Sequence, residues 1–151
     1  IICPIAGSSK RVQTMRAVST GVKAMEAAVP LATAPDALVR LDRLLQEHRH
    51  ARLNAVGLRP SLADPFSLSP CHERDTLWVD LFFRGGHPAF ADTLASTIEE
   101  LEGRCHWGKH IGLSARQFAN QYRRLPEFRL AQATLDPART FASPFSRSIG
   151  L

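Results

Sequence analysis

A histidine, a tryptophan and a lysine lie within four residues in the last third of the chain. They are His106, Trp107 and Lys109, with Gly108 before the lysine. An imidazole, an indole and an ammonium in so short a segment suit a site that holds an aromatic cofactor and stabilises negative charge. Gly108 lets the backbone bring these groups close to another flat molecule, because glycine has no Cβ. Alone the pattern is weak, since histidine and tryptophan also pair in ordinary cores.

The elements that must position this segment begin with a strand and a helix. A β-compatible run over residues 22–29 ends at Pro30, because proline cannot donate to a neighbouring strand. Residues 33–36 then have the form of a capping box, in which a threonine side chain accepts a hydrogen bond from a backbone N–H in the first helical turn. Leucines repeat at helical spacing beyond it, at Leu38, Leu41 and Leu45. This pattern predicts an amphipathic helix of about four turns.

Two more strands and a second helix follow. Residues 53–58 are predicted as a strand, and residues 76–83 form the clearest strand of the chain. Apolar residues alternate along the latter, so that Asp80 lies on the face opposite the apolar one. Helical spacing over residues 90–101 predicts the second helix, with Gly103 as its C-cap. The order predicts an α+β fold, an antiparallel or mixed sheet covered by helices on one face.

Hydrophobic periodicity and motifs divide the chain into three parts. Residues 1–21 have no clear period and are expected to be a poorly determined leader. Residues 22–103 form the predicted α+β domain. Residues 104–151 carry the His-Trp-Gly-Lys segment, two further predicted helices over 114–122 and 126–134, and an irregular tail.

Composition argues against several classes of protein. The net charge is +5, but the basic residues are scattered, so no nucleic-acid partner is expected. No apolar run reaches the roughly 20 residues that a membrane span needs. The three cysteines are widely spaced and no signal peptide is visible, so a reducing, cytoplasmic location without a metal site is expected. The chain begins with Ile1, and we expect its natural start to be missing.

Residues 104–109 resemble a family signature. Their sequence, Arg-Cys-His-Trp-Gly-Lys, is similar to the Arg-Pro-His-Trp-Gly-Lys of the alditol oxidases and D-arabinono-1,4-lactone (L-gulonolactone) oxidases. That family belongs to the vanillyl-alcohol-oxidase superfamily of flavoproteins. Further resemblances follow the family's order and together extend over about residues 22–151: Met-Glu-Ala-Ala-Val-Pro at 25–30, Leu-Ser-Pro at 68–70, Glu-Arg-Asp-Thr at 73–76, and two tail segments at 122–128 and 135–141.

The resemblance implies an FAD-dependent oxidation of a CH–OH group in a polyol or sugar lactone, with hydride passing to flavin N5. It also implies that this chain is the substrate-side cap domain (22–103) and the segment that returns to an FAD-binding domain (104–151), which the chain lacks. Lys109 corresponds to the family's active-site lysine, and an exposed surface lysine is the alternative. His106 corresponds to the position that contacts the flavin, and a packed core histidine is the alternative.

The substrate pair of the family is only half retained. Its pattern is Val-Glu-x-Arg, whereas this chain reads Val-Gly-Leu-Arg, so that Arg59 is kept and the carboxylate is replaced by Gly57. Asp80 is a candidate replacement that would bind substrate with Arg59 and Lys109; a solvated or salt-bridged aspartate is the alternative. Without such an acid, the substrate differs from a simple alditol or the site is inactive.

Two classes of function therefore stay open. One is the substrate-side part of a flavin oxidoreductase, with Lys109 and Arg59 as catalytic residues. The other is a truncated, inactive remnant or a stand-alone binding domain, which the absent flavin domain and Gly57 favour.

Overall fold

A computed structural model describes residues 22–49, 53–84, 88–109 and 114–151, so the predicted leader at 1–21 lies outside the described residues. Within these ranges the chain forms a four-stranded antiparallel sheet with helices, and the predicted α+β class is confirmed. The spatial order of the strands is β2-β3-β1-β4. Their bounds are Val22–Pro30 for β1, Leu53–Ser61 for β2, Thr76–Arg84 for β3 and Arg104–Cys105 for β4.

The pairing of β3 with both long neighbours aligns residues from distant parts of the chain. Asp80 on β3 lies opposite Glu26 on β1 and opposite Gly57 on β2. Because side chains alternate along strands, residues in one such row point to the same face of the sheet. The short strand β4, which the sequence did not predict, pairs Cys105 with Ala27 on the outer edge of β1.

Two helices cover the sheet face opposite the row of Glu26, Asp80 and Gly57, and they enclose the main core. They are α1, Ala34–Glu47, and α2, Pro88–Glu100, close to their predicted positions. The core takes alternate residues of β1 and β3 and one stripe of each helix, because both patterns bury an apolar surface. Its fully buried members include Met25, Val29, Val79, Leu81, Leu41, Phe90, Leu94 and Ile98.

The predicted capping box at Thr33 is wrong. A 3₁₀ turn, Leu31–Thr33, precedes α1, and the Thr33 hydroxyl donates to the Pro30 carbonyl at 3.4 Å. The Thr33 side chain accepts no hydrogen bond from the first turn of α1. Pro35 in that turn has no N–H to satisfy, which reduces the need for a side-chain cap.

The C-cap assigned to Gly103 is also wrong. Glu102 adopts the left-handed conformation at the end of α2, with φ of 53°. Gly103 is required for space instead, because a Cβ there would lie 2.5 Å from Cγ2 of Ile98 and 2.9 Å from its carbonyl oxygen. The Gly103 N–H donates to that same carbonyl at 2.7 Å. The glycine therefore lets the chain pass close to α2 before it enters β4.

The C-terminal segment folds into three helices around a smaller core. They are α3, Ala115–Gln121, α4, Leu125–Leu135, and α5, Pro144–Ser148. The first two match the predicted helices. The tail, which was predicted to be irregular, contains α5. This helix begins after the Ser143 cap and is too short to show helical periodicity. The buried residues of this core are Phe118, Tyr122, Leu125, Ile149 and Leu151.

Replacing Ser114 by alanine is expected to destabilise the protein by about 1 kcal/mol. The Ser114 hydroxyl accepts from the Gln117 N–H, and the Gln117 side chain accepts from the Ser114 N–H at 3.0 Å, a reciprocal cap at the start of α3. The midpoint of urea unfolding measures the change. Ser96→Ala, at an exposed interior position of α2, is the control and should change stability by less than about 0.5 kcal/mol. Equal effects of the two substitutions would contradict a capping role.

Candidate functional site

Five charged or titratable side chains meet on the sheet face opposite α1 and α2. We call this group the charge cluster. It contains Glu26 from β1, Arg59 from β2, Asp80 from β3, and His106 and Lys109 from the segment after β4. The structure thus brings together all four site residues predicted from the sequence, and adds Glu26. Cross-strand alignment places the two carboxylates side by side in one row.

Glu26 is the buried centre of the charge cluster, with a side chain only 1% exposed. Nη2 of Arg59 donates to its Oε1 at 2.8 Å, and Nζ of Lys109 lies 2.7 Å from its Oε2. Burial alone would raise the pKa of this carboxyl. The hydrogen bond and charge of Lys109, and then those of Arg59, outweigh burial and hold the pKa of Glu26 below its usual value. Glu26 is therefore ionised at neutral pH.

Lys109 joins the two carboxylates of the charge cluster. Its ammonium forms ion pairs with Asp80 and Glu26, and Nζ lies 5.7 Å from the ring centroid of Phe82. Burial opposes the charge, but the hydrogen bonds of Asp80 and then Glu26 more than compensate and raise the pKa of Lys109. The side chain is 25% exposed, so this fixed cation is still open to a ligand.

His106 lies at the edge of the charge cluster and keeps 41% of its side chain exposed. The Gly108 N–H donates to its Nδ1 at 3.0 Å, which assigns the proton of a neutral imidazole to Nε2. That nitrogen lies 4.0 Å from Oε2 of Glu26. A Cβ on Gly108 would come within 3.0 Å of the imidazole, so the glycine permits this close turn.

Arg59 and Trp78 form the neighbouring row. The guanidinium carbon of Arg59 lies 5.3 Å from the centroid of the Trp78 ring, and the Arg59 side chain is 60% exposed. The imidazole of His106 packs edge-on against the same ring at 5.8 Å. Stacking and the bond to Glu26 hold the guanidinium in place while its outer surface stays available.

Gly57 leaves the space that Asp80 uses. A Cβ at position 57 would lie 3.1 Å from Cβ and 3.6 Å from Oδ2 of Asp80. The two positions face each other across β2 and β3, so a larger side chain at one crowds the other. The carboxylate expected at position 57 is thus absent, while one from Asp80 lies directly beside it.

The tryptophan of the His-Trp-Gly-Lys segment has a different role from its neighbours. Its indole N–H donates to the Tyr122 hydroxyl at 2.8 Å, and its ring packs against Phe118. Trp107 therefore anchors the segment to the C-terminal core. It also lines a cavity of about 220 Å³ next to the charge cluster, together with Leu68, Pro70, Trp78 and His106.

Sequence reasoning missed Glu26 as a site residue. It lies within the Met-Glu-Ala-Ala-Val-Pro segment that supported the resemblance, where it served only as a family marker. The available signal was a lone acid inside an otherwise apolar strand, because a buried charge needs partners. Its partners come from residues 33 and 83 positions further along the chain, which no local pattern connects.

The arrangement suits hydrogen bonding to hydroxyl groups and stabilisation of negative charge. Two cations and two carboxylates offer donors and acceptors on one partly exposed surface. Among the described residues, no group of three potential metal ligands occurs, and no helix is long and apolar enough to cross a membrane. Burial raises the pKa of the nearby Cys105 to about 12, so this thiol is not a nucleophile at neutral pH.

Comparison with known proteins gives consistent matches. A family model described as D-arabinono-1,4-lactone oxidase matches residues 6–149. An alditol oxidase from Streptomyces sp. is 30% identical over 124 residues, which make up 80% of this chain and 30% of that protein. An L-gulono-1,4-lactone dehydrogenase from Mycobacterium tuberculosis is 25% identical over 127 residues, 83% of this chain and 30% of the relative.

An L-gulonolactone oxidase from Mus musculus is 24% identical over 129 residues, 81% of this chain and 29% of the relative. The chain therefore spans about 30% of the length of the curated relatives it matches. The family model nevertheless covers almost all of the chain, including every residue of the charge cluster. The chain belongs to the D-arabinono-1,4-lactone oxidase family.

Proposed function

We propose that this chain is the substrate-side part of an FAD-dependent oxidoreductase that oxidises a CH–OH group of a polyol or sugar lactone. The observation that carries the proposal is the charge cluster. Lys109, Arg59 and His106, which the family resemblance assigns to substrate or flavin, and Asp80, the candidate replacement for the missing carboxylate, come from three segments and lie around the Glu26 carboxylate. The relatives named as lactone dehydrogenase, lactone oxidase and alditol oxidase support the same substrate class.

Each residue of the charge cluster has a proposed role. The Lys109 ammonium binds the reacting oxygen and stabilises the negative charge that develops there as the hydroxyl proton passes to a nearby base, for which Asp80 is the candidate. Arg59 donates to a second oxygen of the substrate from its exposed side. Asp80, whose side chain is 20% exposed, accepts from a substrate hydroxyl in place of the glutamate that the family has at position 57. Glu26 is too buried to touch substrate and keeps the two cations in position.

The residues next to the charge cluster fit one edge of a flavin. Two tryptophans and the exposed imidazole of His106 border a 220 Å³ cavity with a largely apolar lining, which suits a flat aromatic ring system. The flavin would supply the acceptor for the hydride of the carbinol carbon. His106 would contact it, while most of its binding surface belongs to a domain outside this chain.

Exposed apolar residues support such a missing domain. The C-terminal segment leaves large side chains in water on α4 and in the tail, notably Leu130, Leu135 and Phe141, which are 71%, 84% and 86% exposed. Large exposed apolar side chains of this kind occur where a segment packs against another part of a protein. We therefore assign residues 22–103 to the cap domain and residues 104–151 to the return to the FAD-binding domain.

Free thiols at Cys71 and Cys105 support a reducing, cytoplasmic location.

Flavin reduction tests this proposal. The chain is joined to the FAD-binding part of its own gene, and the purified protein is mixed without oxygen with separate aldonolactones and alditols. Bleaching of the flavin absorbance by one of these classes is expected, whereas simple primary alcohols should leave it unchanged. The chain alone should be colourless. Failure of every lactone and alditol to bleach a flavin-loaded protein would contradict the proposal and favour the inactive remnant or binding domain, to which Gly57 lends support.

A further inference from the structure

Arg104 on β4 binds the backbone of two other segments through its guanidinium. Nη1 donates to carbonyls of the loop before β3, at 3.0 Å for His72, 3.2 Å for Pro70 and 3.4 Å for Ser69. Nε donates to the Gln121 carbonyl, at the end of α3, at 3.0 Å. Because a charged donor makes stronger hydrogen bonds than a neutral one, this side chain fixes the edge of the sheet to both the loop and α3.

The same guanidinium packs against the ring that holds Trp107. Its central carbon lies 5.8 Å from the ring centroid of Tyr122, which is buried. The Tyr122 hydroxyl accepts from the indole N–H of Trp107 at 2.8 Å. Burial raises the pKa of Tyr122 to about 12, so this hydroxyl stays protonated at neutral pH. Tyr122 therefore links the position of Arg104 to that of Trp107.

Both links end at the 220 Å³ cavity next to the charge cluster. Leu68 and Pro70 line it from the loop before β3, and Trp107 lines it from the segment after β4. Arg104 binds the Pro70 carbonyl directly, and it holds Trp107 through Tyr122. One side chain thus fixes two parts of the cavity lining relative to each other.

This geometry needs an arginine. The planar guanidinium donates through Nε and Nη1 in different directions while its face packs on an aromatic ring, whereas a lysine has one ammonium at a single point. The carbonyls that Arg104 binds carry no net charge, so the side chain sets positions rather than balancing a charge. In a largely apolar cavity, the separation of the walls decides whether a flat ring fits.

We propose that Arg104 is a positioning residue for the cavity next to the charge cluster. It holds the wall formed by Leu68 and Pro70 at a fixed separation from Trp107, and thereby shapes the surface that packs against the flavin edge. The identity of the flat ring rests on the proposed function, whereas the hold on the lining is a property of this chain alone.

Solvent exchange of the two indole N–H protons, measured by NMR on the chain, tests the proposal. The chain has two tryptophans, and the Trp78 indole donates to the Ser61 hydroxyl at 3.1 Å instead. Arg104→Lys is expected to speed exchange of the Trp107 proton by about tenfold, because the link through Tyr122 opens more often. The Trp78 proton should exchange at its original rate.

Two further variants complete this test. Arg116→Lys, at an exposed position of α3, is the control and should change neither rate. Tyr122→Phe removes the hydroxyl that binds Trp107 and should speed only the Trp107 proton; it decides the matter if Arg104→Lys does not fold. An unchanged Trp107 rate in Arg104→Lys, or equal acceleration of both protons in either variant, would overturn the proposal.

The protein that carries the FAD-binding domain separates this proposal from the proposed function. There Arg104→Lys should shift the visible absorbance maximum of the flavin and leave the KM for substrate unchanged, because the contacts of Arg104 lie outside the charge cluster. Faster Trp107 exchange with an unshifted flavin spectrum would support the hold on the lining and contradict the flavin's place in this cavity. Unchanged exchange with normal flavin reduction would overturn the role of Arg104 and leave the proposed function standing.

Discussion

Replacing Lys109 by methionine is expected to slow reduction of the flavin by substrate by roughly 10²- to 10³-fold. Methionine keeps most of the length of the side chain but removes the ammonium that would stabilise the negative charge on the reacting oxygen. The loss should appear mainly in kcat, because the charge develops in the transition state rather than in the bound alcohol. Stopped-flow absorbance of the flavin, without oxygen, measures the rate in the protein that carries the FAD-binding domain.

Lys23→Met provides a matched control, since Lys23 is an exposed lysine on β1 outside the charge cluster. Its reduction rate should equal that of the unmodified protein. Lys109→Arg should recover only part of the rate, because a guanidinium keeps the charge but cannot occupy the ammonium position between Asp80 and Glu26. A rate that Lys109→Met leaves unchanged would exclude the ammonium from the mechanism.

Replacing Glu26 by glutamine is expected to lower the free energy of unfolding by about 2 kcal/mol at neutral pH. The glutamine amide keeps one acceptor oxygen, but its NH₂ group can only donate. That NH₂ group must therefore face an N–H donor of Lys109 or Arg59, which is unfavourable. The cost stays moderate because Lys109 retains Asp80 and Arg59 is 60% exposed. Urea unfolding measures the change, and Glu47→Gln at an exposed position of α1 is the control.

The effect should depend on pH in a defined direction. The pKa of Glu26 is lower in the folded protein than in the unfolded chain, because Lys109 and Arg59 outweigh the effect of burial. Its contribution is therefore complete above the unfolded pKa, about 4.3, and is lost as the pH falls through the lower folded pKa. The stability gap between the unmodified protein and Glu26→Gln should narrow in acid. A gap that widens below pH 4 would contradict this assignment.

A similar argument applies to Lys109 at the alkaline end. Its pKa is raised in the folded protein by Asp80 and Glu26 despite burial. The stability it contributes is complete below the unfolded pKa, about 10.4, and is lost as the pH rises through the higher folded pKa. Acid and alkali therefore weaken the charge cluster for opposite reasons.

The fold was largely predictable because its signals are local. Alternation along residues 76–83 identified β3 and its two faces, and the spacing of Leu41 and Phe90 with their neighbours identified α1 and α2. The errors came from ends and short elements. Thr33 and Gly103 are residue types typical of helix caps. Their actual roles, a 3₁₀ turn before α1 and a close approach to Ile98, depend on the neighbouring backbone. The strand β4 and the helix α5 are too short to show a hydrophobic periodicity.

The sequence by itself predicted the longer strands and helices, the family and four of the five residues of the charge cluster. Only the tertiary structure decided that Glu26 is the centre of that cluster and that Trp107 belongs to the C-terminal core. The physical reason is that periodicity reports which face a residue occupies, whereas ion pairing depends on the register between strands. Antiparallel pairing of β1, β2 and β3 places Glu26, Asp80 and Gly57 in one row, although they are distant in the chain.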